Sequence, residues 1–407
     1  MIIAVVGGGA SGMLAAIIAS KSSKHTVYLL ERQNRVGKKL SATGNGRCNL
    51  TNLHAGPGLY HSQQPQFPAE ILNAFDVPKT LAFFRDLGLL TTVEASGRVY
   101  PVSDQATSVV DVLRFALARP NLQLHTGCEV LQVDRTPDGG FQLRHCQGTL
   151  TCDRLIIACG GLAGTKLGGS MRGYQLLQAL GHRCTKLRPS LVQLRSSHPR
   201  CAALKGIRAQ CSLQITRNRL VTAGASGEIQ FTEYGLSGPA IFEVSRGVCW
   251  EPGDWVCRLN LLPGWSTEEI QPMLQKRVEQ SPYLTCQDLL TGMVHNRLGR
   301  VVVQEAGLSL AAPLDTLSIQ ALRTVADRLQ NFVFPLTEPM GMDCAQVTAG
   351  GVRTDEFFPD TLESRLCPGL YACGEVLDVD GDCGGYNLQW AWSSGYVAGS
   401  SAGRENA

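Results

Sequence analysis

The stretch "IIAVVGGGASGMLAAIIAS", near the start of this 407-residue chain, constrains the fold more than any other. It runs as an unbroken apolar strand, a glycine turn and a helix-period run of small and apolar residues. Gly7, Gly9 and Gly12 stand in the spacing G-x-G-x-x-G. A second strand, "HTVYLLE", ends on Glu31, close to the offset of about 20 residues at which an acid meets the ribose in nucleotide-binding βαβ units. In such a unit the first glycine permits the tight turn, the second lets main chain reach a pyrophosphate, and the third lets helix and strand pack closely. The phosphates sit at the positive end of the helix dipole. Glu31 would accept hydrogen bonds from both ribose hydroxyls and repel a 2′-phosphate, so the motif predicts FAD or NAD rather than NADP. The fold class expected is α/β, with a doubly wound Rossmann-type domain.

Two later segments choose between the cofactors. "ATGNGRCNLTN" follows the basic stretch "RQNRVGKKL". Each glycine in it costs roughly 0.5–1 kcal/mol of folding entropy relative to alanine, so something is expected to approach that backbone closely. Flavoproteins of the glutathione-reductase type place a loop there, running from the pyrophosphate towards the flavin. Near the other end, "LYACGEVLDVDGDCGGYNLQWAWSSGYVAG" reads as a strand, an acidic turn, a Gly-Gly turn and a helix of small residues. Glu375 can bond ribityl or ribose hydroxyls. The amides from Gly385 to Asn387, at a helix start, can stabilise negative charge at flavin N1 and O2. "VTAGGV" offers Gly350 and Gly351, and the glycines of all three segments are expected to let a flat ring lie against bare backbone.

Together with "GRVYPVSDQATSVVDVL", "IIACGGLAGTKLGGSMRGYQLLQALGH" and "YGLSGPAIFEVS", these segments resemble the bacterial FAD-dependent oxidoreductases of the aminoacetone oxidase-like, bile-acid 3-oxo ene-reductase-like family, which also includes ribosomal RNA dihydrouridine synthases. The likeness runs nearly end to end. One departure is "SMRGYQ", where the family leads us to expect an acid in place of Met171 or Arg172. The resemblance implies FAD, with NADH or NADPH as a transient electron donor. It implies three activities: reduction of a conjugated C=C bond in a 3-oxo steroid or bile acid, reduction of uridine in ribosomal RNA, and amine oxidation. The residues expected at the cofactor are Gly7, Gly9, Ala10, Ser11, Gly12, Glu31, Arg32, Lys38, Lys39, Thr43, Gly44, Asn45, Gly46, Asn49, Val130, Gly160, Gly350, Gly351, Gly374, Glu375, Gly385, Tyr386 and Asn387.

The resemblance also implies a split FAD domain, residues 1–190 and 344–407, around an insert. Pattern agrees: after "RPSLVQL" the chain turns to short alternating stretches such as "AQCSLQITRNRLV" and "DWVCRLNLL", the mark of an antiparallel sheet or small barrel over 191–264. A helical region is expected over 265–343, opening with Ser266 and Glu269 in capping-box spacing. The insert is expected to cover the flavin face.

Composition adds exclusions. Apolar content of 44% with 17% charge is globular, and no apolar run reaches the roughly 18–20 residues of a membrane span. A cytoplasmic protein is expected. The fifteen cysteines are scattered, without a Cys-x-x-Cys pair, so most are expected to be reduced core residues and no metal site is expected. Net charge is only +3. From Arg183 to Gly227, however, Arg183, Lys186, Arg188, Arg195, Arg200, Lys205, Arg208, Arg217 and Arg219 occur with no acid, either an anionic-ligand surface or a solvated face.

For an ene reduction the flavin carries hydride and the protein supplies a proton. The proton-donor candidates are Cys48, Tyr386, Tyr100 and His54. Cys48 leads, because neighbouring Arg47 would lower a thiol pKa. Arg47 either polarises a substrate oxygen or, as preferred, anchors the pyrophosphate. "LIIACGGLAG" lacks a second full fingerprint, so a nicotinamide is expected to dock only transiently.

Overall fold

The opening apolar run forms strand β1 (Ile2–Val6), and the glycine turn leads into helix α1 (Ala10–Ala19). From Ile3 onwards β1 is buried, as a strand inside a parallel sheet must be when helices cover both faces. The partners are β2 (Thr26–Leu30), β3 (Leu122–His125), β4 (Arg154–Ile157) and β5 (Leu370–Ala372). In this computed structural model, which describes residues 1–404, they pair in the order β5-β4-β1-β2-β3, all parallel. The chain leaves β1 towards β2 on one side and returns to β4 on the other. The switch point therefore lies between β1 and β4, where open α/β sheets bind ligands beyond the carboxyl ends of their strands.

The C-terminal helix α2 (Tyr386–Ala402) packs on α1 through small residues. A methyl group at Gly395 would lie 2.5 Å from the Ser11 carbonyl oxygen, and one at Gly399 would lie 2.5 Å from that of Ala15. Contacts advancing four residues on each helix mean the two run parallel, with both amino ends at the same end of the domain. The helix is locked by buried hydrogen bonds. Trp390 Nε1 donates to the Gly374 carbonyl and Trp392 Nε1 to that of Leu50, while Gln389 bonds Thr51, Thr80, Ser393 and the Phe75 carbonyl.

This unit comprises Met1–Pro189 and the stretch from Ala345 onwards; Ser190–Cys344 form a second. The second unit contains a closed six-stranded antiparallel barrel, as the alternating stretches predict. Its main hairpin pairs Arg208–Arg217 with Leu220–Thr232. Helices Thr267–Gln280, Asn296–Glu305 and Ile319–Gln330 share the barrel's apolar core, and the Ser266/Glu269 capping box is present. Helix does not fill the whole expected helical region. Phe332–Pro339 alternates Phe-Val-Phe-Pro-Leu, buries Phe332, Phe334 and Leu336, and is a barrel strand. Among the described residues no helix is long and apolar enough to cross a membrane.

The acid-free basic run is not an unpaired basic face. Glutamates from elsewhere in the sequence pair with Arg183 (Glu356), Arg195 (Glu338), Arg200 (Glu305), Lys205 (Glu233), Arg208 (Glu228) and Arg217 (Glu251). Strand and helix pairing brings these acids back to cations far away in sequence.

Candidate functional site

The three glycines of the first turn divide their work. Gly7 has φ +110° and sits against β4, where a methyl group would meet the Ala158 carbonyl oxygen at 2.3 Å. A methyl at Gly12 would lie 1.8 Å from the Gly7 carbonyl oxygen, so this glycine sets the approach of α1 to β1. Gly9 differs from both: a methyl there meets nothing within 4 Å. Gly9 opens α1, which has no side-chain cap and no acid in its first turn, so the amides around Ala10 and Ser11 keep donors for an anion. Gly160, on the turn after β4, is likewise open.

Glu31 is fixed beside the first glycine turn. Its Oε2 accepts from the Gly8 amide at 2.6 Å and its Oε1 from the Gln33 amide at 2.7 Å. Each carboxylate oxygen retains a lone pair for a hydroxyl. Arg32 donates to the Gly168 carbonyl, and Lys38 to Gln33 Oε1. Val130 is 2% exposed at a strand start, which leaves mainly its backbone to meet a ligand.

The "ATGNGRCN" loop is a run of left-handed backbone, with φ of +58° at Gly44, +56° at Asn45, +88° at Gly46 and +63° at Cys48. Thr43 anchors it, its hydroxyl donating to Leu40 and its carbonyl accepting from the Cys48 amide. Gly44, Asn45 and Gly46 are exposed. Asn49 Oδ1 is a buried oxygen with no hydrogen-bond partner, 2.8 Å from where a Gly385 methyl would stand.

The reactive roles expected in this loop are corrected. Cys48 is fully buried, and burial pushes its thiol up to about 12, against a weaker opposing hydrogen bond with Thr43. The neighbouring guanidinium does not lower it, because Arg47 turns the other way. Arg47 Nε donates to Asp104 at 2.5 Å and Nη2 to Glu94 at 3.0 Å, and the guanidinium stacks 4.1 Å from the Tyr100 ring centre. Two carboxylates therefore occupy the cation expected at the pyrophosphate. His54 is exposed on a turn, and Tyr100 is buried beneath Arg47.

At the other end of the chain, close packing explains most glycines that were expected to face a ring. Methyl groups at Gly350 and Gly351 would strike main chain of Lys186 and Leu377, at 2.5 and 2.4 Å. One at Gly374 would strike Ser11 Oγ at 2.4 Å, and one at Gly385 the Thr51 carbonyl at 2.6 Å. Asn387 spends both amide atoms on its own loop, accepting from the Gly381 amide and donating to the carbonyls of Gly381 and Asp382. It shapes the start of α2 rather than offering an edge to a ring. Tyr386 is half-buried, with its carbonyl accepting from Tyr60 and its ring edge-on to that of Tyr60, 6.4 Å away. Glu375 and Lys39, expected as separate ligands, form an ion pair at 2.7 Å.

Sequence reasoning missed several residues here. His61 Nε2 lies 2.7 Å from Asp382, and the two-residue ladder of Tyr60–His61 with Asp380–Gly381 fixes both. Thr348 donates its amide to Glu375 and accepts from the Ala163 amide. The acidic turn "DVDGD" was the only signal, and it names no partner.

The residues present fit an extended dinucleotide. Helix α2, like α1, has no side-chain cap. The contacts pair Ser11, one residue into α1, with Gly395, nine residues into α2. Eight residues at 1.5 Å each place the two amino ends about 12 Å apart along one direction. That spacing would let one positive helix end face a pyrophosphate and the other the electron-rich edge of a ring carried on a ribityl-length linker.

Comparison with known proteins agrees. The chain is 39% identical over 404 residues to a 3-dehydro-bile acid delta(4,6)-reductase of Clostridium scindens, covering 98% of each. It is 31% identical over 393 residues to a ribosomal RNA dihydrouridine synthase of Escherichia coli, covering 97% of this chain and 96% of that protein. Among solved structures, a 3-ketosteroid delta1-dehydrogenase of Sterolibacterium denitrificans matches with a TM-score of 0.50 at 12% identity, over 98% of both chains, a likeness of fold alone. The model of the HI0933-like protein Rossmann domain matches residues 1–401, and the chain accordingly belongs to that family, as an oxidoreductase built on a Rossmann-type FAD-binding domain.

Proposed function

We propose that this protein uses NADH or NADPH to reduce an activated C=C bond of a conjugated small molecule of the 3-oxo steroid or bile-acid type. The observation that carries this reading is the 39% identity, across 98% of both chains, with a protein named for reduction of 3-dehydro bile acids. When bound, FAD supplies hydride transfer. The protein's own residues do the rest. The amides of α1 hold the pyrophosphate, Glu31 the ribose, and the start of α2 the electron-rich edge of the ring, where it favours added negative charge. Cys48 is buried too deeply to give a proton, which leaves Tyr386 as the candidate from the sequence that retains exposure beside α2.

Anaerobic stopped-flow tests the proposal. Flavin absorbance should bleach with NADH or NADPH and return on adding a 3-oxo-Δ4 steroid or bile acid. Bleaching by an amine alone, or no return with any enone, would overturn it. The uridine-reducing alternative gains little from charge, because six of the nine cations in the basic run have glutamate partners. Ribosomal RNA dihydrouridine in a deletion strain should equal that of wild type.

A further inference from the structure

Lys39 follows β2 and Glu375 follows β5, strands that β1 and β4 separate in the sheet. Three strand spacings put those carboxyl ends about 14 Å apart. Yet Lys39 Nζ lies 2.7 Å from Glu375 Oε2. The pair therefore bridges the carboxyl edge of the sheet, across the turns after β1 and β4 that carry Gly9 and Gly160.

The two partners are held unequally. Glu375 Oε1 accepts from the Thr348 amide at 2.8 Å, and a methyl at Gly161 would lie 2.5 Å from the same oxygen. The carboxylate is thus held by the amide of Thr348, in the short strand Val347–Ala349, and packed against Gly161 in the turn after β4. Lys39 reaches it on a flexible four-carbon stem and stays 31% exposed. In the free chain such a pair adds little to stability, since water screens it. Filling the crevice removes that water and strengthens the pair.

We infer that Lys39 and Glu375 act as one clasp that closes across the bound dinucleotide, with Lys39 a positioning residue rather than a phosphate ligand. The inference rests on the FAD reading above. The test is a double-mutant cycle on the full chain with Lys39→Met, Glu375→Gln and both, together with Lys39→Arg. FAD dissociation is followed by flavin fluorescence, and the thermal midpoint of the FAD-free chain is measured alongside.

Each single change is expected to speed FAD release about tenfold, with the double no faster than the worse single. The FAD-free midpoint should move by no more than about 2 °C, and Lys39→Arg should stay within about threefold of wild type. Additive losses, about a hundredfold in the double, would overturn the clasp by making the residues independent ligands. A fall in the FAD-free midpoint that matches the affinity loss would overturn it by making the pair a structural prop. If wild type binds no FAD, the FAD reading itself fails and takes the clasp with it.

Discussion

Three glycines of one motif illustrate how different a residue's reasons can be. Gly12 is demanded by the protein, since a methyl would overlap the Gly7 carbonyl, whereas nothing in the protein demands Gly9. Gly12→Ala should lose about 3 kcal/mol or more, the scale of severe overpacking, and show it as a lowered midpoint in urea. Gly9→Ala should leave the FAD-free chain within about 0.5 kcal/mol of wild type and yet abolish yellow colour on incubation with FAD. Equal destabilisation by both would refute the assignment of Gly9 to the pyrophosphate. Cys48 gives a second contrast. A thiol lifted to about 12 and fully buried should resist iodoacetamide at pH 8, with mass spectrometry finding exposed Cys146 labelled first. Cys48→Ala should keep turnover within about threefold, because general-acid help is worth roughly 100-fold or more.

At the scale of elements, the proposed function depends on two parallel helices in close contact. Gly395 and Gly399 allow α2 to reach the backbone of α1, and no side chain fits between them. Gly399→Leu should push the amino end of α2 out of register with that of α1. The expected result is loss of bound flavin during gel filtration together with a midpoint lower by about 5 °C or more, on the order of 2 kcal/mol at this contact. Retention of both would show that the alignment of the helix ends is incidental.

Across the molecule, the buried polar cluster of His182, Glu356 and Ser364, with exposed Arg183 at its rim, should set acid stability. His182 Nδ1 lies 3.0 Å from Glu356 and its Nε2 2.9 Å from Ser364, while Arg183 Nε donates to Glu356 at 2.7 Å. Burial lowers the His182 pKa, with Glu356 opposing. Burial raises that of Glu356, but bonds from Arg183 and His182 outweigh it and the net shift is downward. Both groups thus bind protons more readily unfolded than folded, so stability falls as pH falls. The histidine share should begin to be lost below about pH 6.5 and the glutamate share below about pH 4.3. Thermal midpoints from pH 8 to 4 should decline in that order. Glu356→Gln, which disturbs the hydrogen bonds to buried His182 while Arg183 stays in water, should cost about 1–2 kcal/mol at pH 7 by urea titration.

Much of this was legible in the chain because it is local. Periodicity and the spacing of Gly7, Gly9, Gly12 and Glu31 fix a βαβ unit and its ligand class, since strand, turn and helix geometry depend on neighbours in sequence. The capping box at Ser266 and Glu269 and the alternation of the barrel strands are local in the same way. What only the tertiary structure decided are encounters between residues far apart in sequence. Arg47 meets Asp104 and Glu94 instead of a phosphate, Lys39 meets Glu375, the basic run meets its glutamates, and Gly350, Gly351, Gly374 and Gly385 answer to packing. A charge or a glycine carries no mark of its partner, because Coulombic attraction and steric exclusion act through space, and the sheet order sets which distant segments share that space.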